Sequence, residues 1–220
     1  RRQIYSVLLT FMGNGLWLGL LTVIEWPKDL SEPTGNSSAA PQRDTTNVYL
    51  VTSRDGVHFD DEWVYAQRPL IPKGTRWSDW DSGFVLPAAQ IVTDATTHRI
   101  YYEVRSGSRH EERFDKPGTI AVASWDRDRL VGVHLAHGDV EGWLTTKLFR
   151  LRGLAVVLNV DTQQACSSVT VEVLDEANRP FAGFGHESAI PLRGHSSGTR
   201  TFANWVEAGA SLPHRLLGRR

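Results

Sequence analysis

Short apolar runs separated by polar turns make up most of this chain, and no long window keeps the 3.6-residue period of a helix. Clear turn sequences, such as Asp55-Gly56 and Ser106-Gly107, separate these runs. The pattern predicts an all-β fold. The predicted strands cover residues 47–53, 57–65, 85–92, 99–105, 119–125, 143–151, 154–160 and 169–174.

The first 26 residues form the most continuous apolar stretch. Gly13-Asn14-Gly15 divides it into two arms, and Asn-Gly between aromatic and β-branched runs is a strong hairpin signal. Each arm has about nine residues, whereas a helix needs about 20 to cross a bilayer. We therefore favour a buried hairpin over a membrane span. A signal or anchor segment is the alternative.

A weak internal repeat and a later change of pattern predict two domains. The segment 51–55 is similar to 122–126, and each copy joins the end of a strand to a Ser-x-Asp turn. Repeated groups of four short strands are typical of propeller blades. Beyond residue 152 the pattern becomes simple alternation, as expected for a sandwich strand. We predict a partial β-propeller over residues 1–152 and a short β-sandwich over 153–220.

Composition excludes several classes of function. Lys and Arg number 24 against 25 Asp and Glu, so there is no basic footprint for nucleic acid. Cys166 is the single cysteine, which excludes an internal disulfide and a cysteine metal site. His134 and His137 lack the helix that makes such a pair a convincing metal site. The chain has no nucleophile elbow, P-loop or dinucleotide fingerprint, so we expect neither metal nor cofactor.

The densest group of candidate binding side chains lies at residues 76–84. A Trp ring offers a flat apolar surface to the C–H side of a sugar, and a carboxylate accepts hydrogen bonds from hydroxyls. Glycosidases place two carboxylates across the scissile bond. We predict that Asp81 is catalytic and that Trp77, Asp79 and Trp80 bind substrate. The alternative is an aspartate that caps a turn beside core tryptophans.

A second group follows the strand predicted at 99–105. Loops at strand ends often carry binding and catalytic residues. Glu103 and Glu111 are candidate acid/base residues, and Arg109 and His110 are candidate substrate contacts. The alternatives are a solvated charged loop and, for Glu103, a side chain that faces solvent.

An ordered series of motifs resembles glycosyl hydrolase family 32/43-like, or β-fructosidase-like, proteins. In chain order these motifs are SRDGVHF, RPLIP, WDSGFVLPA, RIYYEVRSGSRHE, GTIAVASWDRDRLVGV, GWLTTKLFRL and LNVDTQQACSSVTVEVLDEANRPFAGF. The resemblance implies a five-bladed β-propeller and a C-terminal β-sandwich, with 53–56 as a structural blade turn and Asp81 as a cleft carboxylate. The family's first-blade nucleophile motif, Trp-x-Asn-Asp-Pro-like, does not occur here. We therefore expect a partial or truncated member.

Three functions remain open from the sequence. The resemblance implies a glycosidase that acts on a small carbohydrate, such as a fructoside. The missing nucleophile motif favours a non-catalytic carbohydrate-binding or structural remnant of that fold. The third is an interaction module that self-associates through open sheet edges, since unpaired edges readily pair with other chains.

Overall fold

The structure, a computed structural model, describes residues 2–26, 44–75, 79–106, 118–136, 138–195, 200–206, 208–209 and 211–213. Its regular structure is almost entirely antiparallel strand, which confirms the all-β prediction. The chain divides into two compact units, Arg1–Trp125 and Asp126–Arg220. The domain boundary predicted at residue 152 lies within the second unit and stays a prediction.

The first unit begins with a four-stranded antiparallel sheet, here called the first sheet, in the order β1-β2-β3-β4. Its strands are β1 (Arg2–Gly13), β2 (Leu16–Glu25), β3 (Thr45–Ser53) and β4 (Phe59–Asp60). One helical turn, α1 (Glu62–Tyr65), follows β4. Each strand pairs with its neighbour in sequence, so the first sheet is a simple meander.

The predicted hairpin is confirmed, although only one of its strands is buried. Gly13 pairs with Leu16, and both intervening residues have positive φ, 49° at Asn14 and 71° at Gly15. These angles are those of a type I′ turn, which matches the twist of the two strands. β2 is mostly buried, whereas the alternate side chains of β1 are exposed.

The second sheet of this unit is centred on β7. Its strands are β5 (Phe84–Pro87), β6 (Val92–Thr93), β7 (Thr97–Arg105) and β8 (Thr119–Asp126). β5 and β6 pair antiparallel with different parts of β7, and β8 also pairs with β7. Burial alternates strictly along β7, so one face of the second sheet is core and the other is half-exposed.

The two sheets of the first unit pack through β5, which lies against β2 and β3. The Thr46 hydroxyl is hydrogen-bonded to the backbone of Val85. Val48 and Leu50 lie on the same face of β3 as Thr46, because side chains alternate between the two faces along a strand. On the opposite face, here called the outer face, α1 covers only part of the first sheet. The buried cluster there contains Leu21, Val23, Tyr49, Val51 and Val64.

The second unit has shorter strands around one aromatic core. They are β9 (Val157–Asn159), β10 (Ala189–Ile190), β11 (Arg200–Phe202) and β12 (Asn204–Trp205), with a 3-10 turn at His186–Ser188. β9 pairs with β11, and β10 pairs with β12. Trp205 is fully buried, and its ring contacts Phe184 edge to face with centroids 5.1 Å apart.

Three predicted strands are wrong. Residues 57–65 contain only the two-residue β4 before α1, because the Asp60 carboxylate accepts a hydrogen bond from the N–H of Glu62 and so favours a helical turn. Residues 143–151 form no strand and are almost entirely exposed. At 169–174 the described chain makes only isolated bridges, at Val169 and Leu174.

The sheets in the described residues do not form a complete propeller. In the same residues, no helix is long and apolar enough to cross a membrane.

Candidate functional site

The predicted carboxylates lie in a tight turn that leads into β5. The Ser82 N–H donates to the Asp79 carbonyl at 3.2 Å, and the Gly74 N–H donates to the Asp81 carbonyl at 3.2 Å. Asp79 and Asp81 are half-buried, whereas the side chain of Ser82 is buried. The turn is therefore anchored at its base and leaves both carboxylates partly open to solvent.

The side chains of Asp79 and Asp81 converge beside Gly74. A Cβ atom built on Gly74 would lie 2.5 Å from Asp81 Oδ1 and 2.9 Å from Asp79 Oδ2. These two oxygens are therefore no farther apart than the sum of those distances. Only a residue without a side chain fits here, so Gly74 lets the chain approach the two carboxylates closely.

Trp80 lies between these two aspartates in sequence and is 54% exposed. An exposed Trp side chain leaves a large apolar surface in contact with water. When such a residue lies beside polar groups, it is a candidate binding residue. The turn thus presents an open aromatic ring and two hydrogen-bond acceptors on three successive residues. This arrangement suits a ligand with both C–H faces and hydroxyl groups.

The first residues of β3 hold the downstream side of the turn. The Thr46 N–H donates to the Gly83 carbonyl at 2.9 Å, and the Thr46 hydroxyl donates to the Val85 carbonyl at 2.9 Å. That hydroxyl also accepts from the Val85 N–H at 2.7 Å. Thr46 is completely buried, so these bonds are shielded from competition with water.

The next residue, Asn47, holds the upstream side. Its Oδ1 accepts a hydrogen bond from the Lys73 N–H at 3.2 Å, directly before Gly74. Its Nδ2 donates to Glu25 Oε2 at 2.7 Å. Consecutive residues of β3 therefore fix both ends of the segment that carries Asp79, Trp80 and Asp81.

Glu25 is the centre of a polar network behind Asn47. Its Oε1 accepts hydrogen bonds from the Tyr49 hydroxyl at 2.6 Å and from Arg2 Nε at 3.1 Å. Burial, and then the hydrogen bond to the Glu25 carboxylate, raise the pKa of Tyr49 above its ordinary value. Glu25, Thr46, Asn47 and Gly74 do not appear among the sequence-predicted residues, because their role depends on contacts between distant segments.

Glu103 does not face the Asp79–Asp81 pair. Tyr102 lies on the buried face of β7, where burial, and then the charge of Asp81, raise the pKa of its phenol. Glu103 lies on the opposite face by strand alternation. There its Oε1 accepts hydrogen bonds from Arg105 Nε at 3.0 Å and Nη2 at 2.6 Å. The structure therefore brings Asp79 and Asp81 together and leaves Glu103 in a separate ion pair.

The other predicted site residues, Trp77, Arg109, His110 and Glu111, lie outside the described residues. Their predicted roles stay predictions. The part of the chain that is described contains no group of three or more His, Cys, Asp or Glu side chains able to hold a metal ion.

The Ser-Arg-Asp-Gly turn, by contrast, forms a closed local network. Asp55 Oδ1 accepts hydrogen bonds from the N–H groups of Val57 and His58, both at 2.8 Å, and Oδ2 lies 2.7 Å from His58 Nδ1. Ser53 Oγ accepts from the Gly56 N–H at 2.9 Å. These bonds, above all the one to the His58 side chain, lower the pKa of Asp55 well below its usual range. The Asp55 carboxylate is thus committed to holding the turn.

Comparisons with known protein families, curated proteins and solved structures find no match for this chain. The geometry around Asp79, Trp80 and Asp81 is therefore the main evidence about function. The resemblance to β-fructosidase-like proteins stays a prediction.

Proposed function

We propose that this chain is a glycoside hydrolase-like protein that binds a small carbohydrate, such as a fructoside, on the turn formed by Asp79, Trp80 and Asp81. The observation that carries the proposal is the exposed Trp80, which lies in sequence between two aspartates whose carboxylates converge beside Gly74. The ring packs against the C–H face of a sugar, and the carboxylates accept hydrogen bonds from its hydroxyls.

We also propose that the two sheets of the first unit are blades of a β-propeller and that the second unit is sandwich-like. Propeller blades are four-stranded antiparallel sheets. The meander order of β1 to β4, and the second sheet of β5 to β8, support this interpretation. So does the packing of β5 against β3. Asp81 then precedes the first strand of a blade, at a loop position suited to binding.

Hydrolysis at the same turn is a second candidate, favoured by the short separation of the two carboxylates. Retaining glycosidases hold their carboxyl groups about 5–5.5 Å apart, and inverting enzymes about 6.5–9.5 Å apart. Asp81 Oδ1 and Asp79 Oδ2 lie 2.5 Å and 2.9 Å from the position of a Cβ on Gly74, so the two oxygens are close enough to be compatible with the first class. In this proposal Asp81 is the nucleophile and Asp79 the acid/base, a role that Glu103 is badly placed to fill.

The binding proposal is tested by titrating the full chain with sucrose, fructo-oligosaccharides and xylo-oligosaccharides in calorimetry and NMR. We expect binding to at least one of them, and we expect Trp80→Ala to weaken it about tenfold or more. Trp143→Ala is the matched control, because Trp143 is also exposed and lies in the second unit. Binding that survives Trp80→Ala, or no binding to any of these sugars, contradicts the proposal.

Release of reducing sugar from the same oligosaccharides separates an enzyme from a binding protein. An enzyme loses release in the Asp81→Asn variant and keeps it in Asp139→Asn, which alters an exposed aspartate elsewhere. Binding by the wild type with no release of sugar leaves the binding function and rejects hydrolysis.

A further inference from the structure

The exposed side of β1 is apolar, which is the reverse of the usual arrangement for a strand at the edge of a sheet. Val7, Leu9 and Phe11 alternate along the strand and are 40–54% exposed. Their alternate neighbours, such as Leu8 and Thr10, are the half-buried residues. In a half-buried strand the exposed positions are normally polar.

Val7, Leu9 and Phe11 lie on the outer face of the first sheet. Leu9 pairs with Gly19, and Gly19 pairs with Val51 of the outer-face cluster. The absence of a side chain at Gly19 lets Val51 and Leu9 close over it, since a Cβ there would lie 2.6 Å from Val51 Cγ2 and 3.1 Å from Leu9 Cδ2.

A register shift near Tyr5 places Ile4, 66% exposed, on the same face, because Ile4 pairs with Val23 of the same cluster. We call Ile4, Val7, Leu9 and Phe11 the apolar strip. It continues the hydrophobic core of the first sheet out to the sheet edge.

Among the described residues, the sheet partner of β1 is β2, so β1 is the edge strand of the first sheet. From Gln3 to Met12 the strand has no charged residue and no proline. Charges and prolines are the usual means by which edge strands avoid other edges. A partner with charged side chains would have to bury them against the strip, whereas an uncharged strand would not.

We propose that β1 is a self-association surface, on which two copies of this chain pair their β1 strands antiparallel about a two-fold axis at Leu9. In this register Leu9 lies opposite Leu9 of the second copy, and Val7 lies opposite Phe11 of the second copy. Each strip then gains an apolar neighbour on the same face, and small and large side chains are matched across the axis. The proposal does not depend on carbohydrate binding.

The interface is one strand and one strip from each copy, which is at the small end of specific interfaces. We therefore expect a reversible dimer. Sedimentation velocity of the full chain, from about 1 to about 200 μM, should show a shift from monomer to dimer with concentration. A monomer throughout, or an open series of larger species, overturns the proposal.

Leu9→Lys tests the position of the interface, because it places two like charges side by side at the axis. We expect it to abolish the dimer. Ile120→Lys is the matched control, since Ile120 is an exposed apolar residue on β8. Loss of the dimer in the control alone, or a dimer that survives Leu9→Lys, contradicts the proposal.

A covalent trap keeps the test decisive if Leu9→Lys does not fold. Residues directly opposite in an antiparallel pair have Cα atoms about 4.5–5.5 Å apart, within the range that a disulfide spans. In a Cys166→Asn background, which removes the exposed native thiol, Leu9→Cys should form a covalent dimer under mild oxidation. Ile120→Cys should not. Equal cross-linking of the two variants means random collision and rejects the proposed register.

Discussion

Asn47 Oδ1 accepts a hydrogen bond from the backbone N–H of Lys73 at 3.2 Å, and this contact joins β3 to the loop that reaches Gly74. The same amide donates to Glu25 at 2.7 Å. One buried side chain therefore connects the polar network at the end of β2 with the segment that holds the candidate site.

Asn47→Ala should destabilise the first unit by about 1–3 kcal/mol, because it removes two partly buried hydrogen bonds, one to Glu25 and one from Lys73. Urea denaturation followed by tryptophan fluorescence measures the change. Gln90→Ala, at an exposed position, is the control and should have little effect. If the two variants are equally stable, the Asn47 amide does not hold this loop.

Gly74→Ala should disturb the candidate site without removing any of its functional groups. The new Cβ would lie 2.5 Å from Asp81 Oδ1 and 2.6 Å from Asp79 Cβ, so the turn must move. We expect sugar binding to fall about tenfold while circular dichroism stays unchanged. Gly153→Ala is the matched control, because nothing lies within 4 Å of a Cβ at that position. Undiminished binding by Gly74→Ala would place the ligand elsewhere.

Asp55→Asn should change how stability depends on pH. The folded-state pKa of Asp55 is lowered chiefly by its hydrogen bond to the His58 side chain. The carboxylate therefore stabilises the fold above its unfolded pKa of about 3.9, and this contribution is lost as the pH falls through the folded value. We expect wild type to exceed the variant in stability at pH 6, and the difference to shrink below about pH 4.

Urea denaturation at several pH values measures this difference, with Asp139→Asn as the control for removal of an exposed aspartate. A difference between wild type and Asp55→Asn that does not vary with pH would mean that the turn does not depend on the charge of Asp55.

Trp205→Ala should destabilise the second unit by about 3–5 kcal/mol, since it empties the centre of the core. The indole Nε1 also donates to the Val171 carbonyl at 3.0 Å, so the variant removes a partly buried hydrogen bond as well. Trp205→Phe retains most of the volume and should cost less. Thermal unfolding measures both, and Trp143→Phe, at an exposed ring, should leave the midpoint unchanged.

The strands that could be predicted from the sequence are those whose signals are local. Asn14 and Gly15 favour the positive φ angles that a two-residue hairpin turn requires. The alternation of apolar and polar residues along β7 indicates both the length of this strand and which of its faces is buried. Residues 143–151 have a similar apolar content, but a strand also needs a neighbouring backbone to pair with. Sequence pattern does not supply that information.

The candidate site was predictable only in part, for a related reason. Asp79, Trp80 and Asp81 are adjacent in sequence, so their density marks them directly. The alternating pattern of β7 does not tell whether Glu103 faces the predicted site or solvent. The pairing of β5 with β7 determines which face Glu103 occupies. The supports at Thr46, Asn47 and Gly74 come from separate segments, and only the folded chain brings them together.

The hairpin turn at Asn14-Gly15 also has a consequence for the order of folding. A two-residue loop closes on the microsecond scale, because little chain entropy is lost, whereas β2 and β3 are separated by the long segment between Glu25 and Thr45. We therefore expect the β1–β2 hairpin to form before the rest of its sheet is in place. During that interval the uncharged edge of β1 is exposed beside an incomplete core, so refolding yield should fall steeply as protein concentration rises.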